Sequence, residues 1–207
     1  MDVRQAYNKW AVQYDSNINR TRDLEAVALK DILKHISNAD TLEIGCGTGK
    51  NSQWLQTKSS SLTAVDFSER MLAKAKEKLD GIDFIQADIT QPWAFVKKQF
   101  DLVSFSLVLE HIYDLGFIFN EAAQKLKPGG QIYIGELHPF KQYTGSKARF
   151  EDEHGTTVPT CYTHHTSDFI NIAGSNGLVL SHLQEWFDDD DKTAMPRILT
   201  LLFTKAK

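Results

Sequence analysis

The chain predicts an α/β fold, and three observations carry that reading. Short apolar runs alternate with amphipathic helical stretches along most of its 207 residues. The first strong apolar run ends in a turn with three alternating glycines, Gly45, Gly47 and Gly49. An acid, Asp66, closes the next apolar run, about 20 residues on. Strand, glycine turn and helix in succession are how an open sheet cradles a nucleotide. A Cβ in so tight a turn would hold the backbone away from the ligand.

Composition narrows the classes. With 42% hydrophobic and 24% charged residues, the chain suits one soluble α/β domain over residues 1–207. Net charge is −4 and basic blocks are missing, so no nucleic-acid groove is expected. The opening MDVRQAYNKW is polar and does not read as a signal peptide, and no apolar run reaches membrane-spanning length. Two cysteines, Cys46 and Cys161, make neither a disulfide framework nor a zinc pattern, which suits a cytoplasmic location.

The elements follow in order. Tyr7, Trp10, Ala11 and Tyr14 share one face of a first helix. A second helix is predicted over 23–36, with the stripe Leu24, Val27, Ala28 and Ile32, ended by a turn at Asn38, Ala39 and Asp40. Thr41, Leu42 and Ile44 belong to the first buried strand, and a polar helix is expected from Lys50 to Lys58. A dinucleotide turn would need glycine where Lys50 stands, and the phosphate-binding Gly-Lys-Ser/Thr ending is missing. Residues 62–65 form the second strand, with Asp66 at its carboxyl end. Ser68 is placed to cap a helix over 69–79 that buries Met71, Leu72, Ala75 and Leu79.

Residues 82–86 read as the third strand; Asp88 follows it, and Thr90 with Pro92 suggests a helix start. Residues 100–105 form the fourth strand. A helix beginning near Asp114 buries Leu115, Ile118, Ala122 and Leu126 before the sequence LKPGG stops it. The fifth strand spans 131–135. From Phe140 to His165 periodicity is lost, as in a lid or binding loop. A helix over 166–175, capped by Thr166 or Ser167, and strands over 178–186 and 197–204 complete the chain. The acidic run Asp188 to Asp191 reads as a solvated loop.

With Glu43 in front of it, the glycine turn reads E-x-G-x-G-x-G. It resembles motif I of the class I S-adenosylmethionine-dependent methyltransferases, and LKPGG before the fifth strand is a frequent signature of the same family. The Asn/Asp-Pro-Pro-aromatic tetrapeptide of nucleic-acid amino-methyltransferases is missing after the fourth strand. The resemblance is therefore to the small-molecule, type 11/12-like branch. It implies a doubly wound, seven-stranded, mostly parallel sheet with an antiparallel C-terminal strand, and methyl transfer from S-adenosylmethionine to a small-molecule acceptor. It also implies a cofactor site. Glu43, Gly45, Cys46 and Gly47 would cradle it, Asp66 would take the ribose hydroxyls, and Phe67 would pack on adenine. Asp88 and Ile89 would read the adenine edge, and Ser106 and Leu107 would meet the methionine end. The pair Tyr14-Asp15 matches the end of a lid, here residues 1–38, that such enzymes fold over the cofactor; a helix packed by its aromatics is the simpler and compatible reading.

His111 is the candidate proton acceptor because imidazole titrates near neutral pH; a His opening a helix also caps or packs. Glu136 and His138 are expected to face the acceptor with it, under an inserted loop over 138–165. Tyr143, His154, Tyr162, His164 and His165 are further candidates for the pocket. Adjacent residues such as His164 and His165 point opposite ways in extended chain, so hydrogen-bonded histidines are favoured over a metal site. Two rival functions stay open: a catalytically silent S-adenosylmethionine-binding protein, and a nicotinamide oxidoreductase, which Lys50 disfavours.

Overall fold

A computed structural model describes residues 2–152 and 155–206. Helix α1 (Val3–Trp10) and helix α2 (Arg20–Ile32) precede strand β1 (Ala39–Ile44). Then follow α3 (Ser52–Gln56), β2 (Ser59–Asp66), α4 (Glu69–Lys78), β3 (Asp83–Gln86) and β4 (Phe100–Ser106). A 3-10 turn (Leu109–His111) leads to α5 (Leu115–Lys125), β5 (Leu126–Leu137) and α6 (Pro139–Tyr143). A small hairpin of β6 (Phe150–Asp152) and β7 (Gly155–Thr157) comes next, then α7 (Thr166–Ser175), β8 (Leu178–Trp186) and β9 (Ile198–Lys205).

The seven-stranded sheet has the order β3-β2-β1-β4-β5-β9-β8. The pairs from β3 through β5 are parallel; β9 runs antiparallel between β5 and β8. Its inner strands β1, β2, β4, β5 and β9 are largely buried on both faces, which is why they read as apolar runs, while the edge strands β3 and β8 are partly exposed. Alternation then sorts side chains into two cores. Val103, Phe105, Ile132, Ile134, Leu201 and Phe203 face one side with α5 and α7, while Leu102, Tyr133 and Leu202 face the other with Leu29 and Leu33. The chain leaves β1 toward β2 on one side and reaches β4 on the other. The carboxyl ends of β1 and β4 therefore flank a topological switch point, where open sheets bind ligands.

Several elements differ from the sequence reading. Helix α2 starts at Arg20, where Asn19 accepts a hydrogen bond from Arg22 N, and its buried stripe is Glu25, Ala28, Leu29 and Ile32; Val27 is exposed. Ala39 and Asp40 already belong to β1, not to a turn. Helix α3 is only five residues long because turns occupy 47–51 first. No helix follows Asp88. Its Oδ1 accepts from Thr90 N at 2.9 Å and Thr90 Oγ1 at 2.6 Å, closing a side-chain turn instead.

LKPGG does not precede the fifth strand but lies within it. Phe100 pairs with Leu126 and Leu102 with Gln131, so the extra residues form a bulge, with Gly129 at φ +78°. The segment expected to be structureless holds α6 and the β6-β7 hairpin. Helix α7 is preceded by His165 in the cap position, whose N–H bonds Asp168 Oδ2 at 2.8 Å, rather than capped by Thr166 or Ser167. In the acidic run Asp188 is not simply solvated: its carboxylate takes Arg197 Nε at 2.6 Å and Nη2 at 2.5 Å.

Candidate active site

The glycine turn is fixed by backbone and by one carboxylate. Gly45 N and Cys46 N both donate to Val65 O, at 2.7 and 3.0 Å. Gly45 has φ +73°, and a Cβ there would lie 2.1 Å from Val108 Cγ2, so only glycine lets the turn close against residues 107–111. Gly47 N donates to Asp66 Oδ2 and Ser68 N to Asp66 Oδ1, each at 2.8 Å. Asp66 thus ties the turn to the start of α4, which Ser68 caps through Met71 N. Burial pushes the Asp66 carboxyl up to about 6, against the pull of those N–H groups. Since α3 begins only at Ser52 and is short, the turn's own backbone and Asp66 shape this site, not a helix dipole. Lys50 turns away to pair with Asp23.

Three cavities meet here. One of about 300 Å³, mostly apolar, is lined by Gly45, Asp66, Phe67, Asp88, Ile89 and His111. Arg4 lies over the Phe67 ring, 5.6 Å from its centroid. A second, of about 40 Å³, lies between Tyr14, Glu43, Cys46, Gly47, Asn51 and Ser106. A third, of about 440 Å³, is walled by Tyr7, Trp10 and Tyr14 and by residues 144–149. Leu107 borders all three. It sits at φ +56°, a left-handed conformation that costs a non-glycine residue about 1 kcal/mol. Its N–H bonds Gly135 O at 2.8 Å, and the next two N–H groups, of Val108 and Leu109, both bond Glu136 Oε1 at 2.8 Å.

Glu136 therefore does not face the acceptor side. It is buried beneath the 107–110 turn with its carboxyl pushed up to about 8 by burial, and Oε2 has no partner among the described residues. Strand β5 runs on to Leu137, so Glu136 keeps the inward phase of Ile132 and Ile134. His138 is likewise structural. Its Nδ1 accepts from Phe140 N at 3.1 Å, capping α6, and its Nε2 donates to Glu185 at 3.0 Å.

His111 is where the sequence reading puts it, on the rim of the larger apolar cavity. Its Nδ1 lies 2.8 Å from Thr160 O; a carbonyl only accepts, so Nδ1 carries the proton. Nε2 is then the acceptor for the Tyr7 hydroxyl, at 2.8 Å. Of the other candidates, His164 Nε2 bonds Ile112 O and Tyr143 Oη bonds His165 Nδ1. Tyr162 packs edge-on against Tyr113. None of these four lines the three cavities; His154 lies outside the described residues.

Around Glu43, which the sequence marks, sequence reasoning missed the polar partners under the smallest cavity. Glu25 is buried in α2; it accepts from Asn51 Nδ2 at 2.8 Å and Tyr133 Oη at 3.1 Å, and burial raises it to about 7. Glu43, raised to about 8, accepts from Ser52 Oγ at 2.5 Å. Asn51 Oδ1 is buried with no partner. The signal was present: Ala28, Leu29 and Ile32 set a helical phase that puts Glu25 on the buried stripe. Acidic groups and an orphaned acceptor around a small cavity suit an ammonium group.

Residues 42–134 match a protein family described as methyltransferase domain. The chain is 34% identical over 144 residues to a demethylmenaquinone methyltransferase of Leptospira interrogans, covering 63% of this chain and 58% of that protein. It is 30% identical over 138 residues to the biotin biosynthesis bifunctional protein BioHC of Cellvibrio japonicus, covering 66% of this chain and 27% of that protein. The chain thus spans less than two thirds of either relative. A DhpI-SAH complex structure superposes with TM-score 0.76 at 21% identity, covering 98% of this chain and 94% of the other, a likeness of fold.

Proposed function

Residues 42–134 belong to the methyltransferase-domain family, and from that premise we propose that the chain is an S-adenosylmethionine-dependent methyltransferase acting on a small molecule. The carrying observation is the joint cavity at the carboxyl ends of β1, β2, β3 and β4, where Gly45, Asp66, Phe67, Asp88 and Ile89 converge. Its size and its acids at two strand ends fit an adenosyl group. Cys46, Gly47, Tyr14, Ser106 and Leu107, with Glu43, Glu25 and Asn51, fit the aminocarboxypropyl end. When bound, S-adenosylmethionine supplies a methyl group already activated by positive sulfur.

The protein's share is alignment, exclusion of water and, for a hydroxyl acceptor, one proton. Leu107 and Tyr7 separate the donor cavity from the 440 Å³ cavity, which we assign to the acceptor. His111 Nε2, its tautomer fixed by Thr160 O, is the atom that takes such a proton, directly or through the Tyr7 hydroxyl. The N-terminal segment 1–38 and the insertion 138–165 roof the acceptor side, as Tyr7, Trp10, Tyr14 and residues 144–149 in its wall support. Among the described residues no helix is long and apolar enough to cross a membrane. Free thiols at Cys46 and Cys161 support a reducing, cytoplasmic setting.

Calorimetric titration with S-adenosylhomocysteine and with NADH tests the reading. The homocysteine product binds, NADH does not, and Asp66→Ala weakens binding by about 2–3 kcal/mol, roughly 30- to 150-fold. NADH binding, or unchanged affinity in Asp66→Ala, overturns it. Tight binding with no turnover on any acceptor would leave the silent cofactor-binding protein.

A further inference from the structure

The 440 Å³ cavity has a charge its chain does not share. The protein carries 27 acids against 23 Lys and Arg. Yet this cavity is lined by four cations from three segments: Arg20 at the start of α2, Lys147 and Arg149 after α6, and Arg197 before β9. Arg197 is held in place by Asp188 and by Thr21 Oγ1, at 3.2 Å from Nη1. Among the described residues one lining residue is acidic, Glu110, and burial pushes its carboxyl above the ordinary range.

We propose that the methyl acceptor is a small oxyanion, a carboxylate or a phosphonate or phosphate, bound in this cavity by its cations; this rests on the methyltransferase reading above. An amine would meet like charges at Arg20, Lys147 and Arg149, while Arg197 is already paired with Asp188. A neutral alcohol would leave those charges unanswered. An oxyanion is also a ready nucleophile. Its oxygen lone pair forms the new O–C bond to the methyl carbon, the S–C electron pair stays with sulfur, and no proton leaves the acceptor. A carboxylate and the sulfonium become a neutral methyl ester and a neutral thioether; a phosphonate or phosphate dianion becomes a methyl ester with one negative charge left. His111 Nε2 can then go on accepting the Tyr7 hydroxyl throughout, as it does here.

The test begins with the S-adenosylhomocysteine titration. Its failure sinks the methyltransferase reading itself. With that ligand bound, the protein is titrated with phenylacetate, benzylphosphonate, phenylacetamide and benzylamine, and methyl transfer to each is followed separately. The oxyanions bind at least about tenfold more tightly than the amide and amine, and the carboxylate and phosphonate arms show which oxyanion is preferred. Lys147 and Arg149 are exposed, so Lys147→Gln with Arg149→Gln keeps the fold and the S-adenosylhomocysteine affinity while weakening the oxyanions about tenfold. Equal or tighter binding of the amide or amine, no binding of either oxyanion, or an oxyanion affinity untouched by the double substitution would overturn the proposal.

Discussion

The proposed donor and acceptor halves of this site are built on different principles. The donor half is local. Gly47 bonds a carboxylate 19 residues away and Ser68 one only two away, all at the ends of neighbouring parallel strands. The acceptor half is assembled from afar. Tyr7 meets His111 across 104 residues, and Arg197 meets Thr21 across 176. The donor half carries the buried carboxyls Glu25, Glu43 and Asp66, whereas the acceptor half gathers cations and aromatic rings. A cofactor that stays the same can be served by a short motif close to the sheet. An acceptor is met by whatever the termini and insertions bring over it.

Glu136 is the sharpest way to break that division, because it clamps the turn of Leu107, which borders both halves. Glu136→Ala removes the acceptor of two N–H bonds in a buried place and should cost about 2–4 kcal/mol of stability. It should weaken S-adenosylhomocysteine and acceptor together. Glu136→Gln keeps an acceptor oxygen and should cost no more than about 1.5 kcal/mol. Denaturant unfolding and calorimetry of the two variants check this. Loss on the acceptor side alone would mean Leu107 is not the shared wall.

A smaller effect separates the halves by pH. Burial raises Asp66 to about 6, Glu25 to about 7 and Glu43 and Glu136 to about 8. The folded protein therefore keeps protons that the unfolded chain has released above its ordinary carboxyl range. The contribution of these four groups to stability is greatest below that range and is lost as pH rises through their folded values of about 6 to 8. The paired surface acids Asp40 and Asp188 are shifted the other way, so their contribution is lost only at lower pH, outside this window. The melting temperature of the ligand-free protein should drop by roughly 5 °C between about pH 5 and pH 8.5. Glu43→Gln should flatten that slope. A melting temperature that rises over the interval would contradict the burial of these groups.

The same contrast explains what could be read in the sequence. The inner strands of the main sheet show as apolar runs because both faces are largely covered, and Gly45, Gly47 and Asp66 stand out because the backbone needs those residue types there. The sequence reading ends the fifth strand at Gly135; the two further residues of β5 turn Glu136 inward, away from the acceptor role expected of it. His138 and Asp88 are spent on local capping and turn bonds. Glu25 is missed because the phase of α2 is judged from Leu24 and Val27, which lie off the buried stripe. Tyr7 as the partner of His111, and the cations around the third cavity, lie beyond any local pattern, since only the closed fold brings them together.

The most direct test of the account is a crystal structure of the protein with S-adenosylhomocysteine. The account predicts adenine between Phe67 and Ile89, ribose hydroxyls on Asp66, the amino group toward Glu25 and Asn51, and sulfur beside Leu107 facing the cation-lined cavity. An adenosyl group found elsewhere, or sulfur turned away from Leu107 and Tyr7, would contradict it.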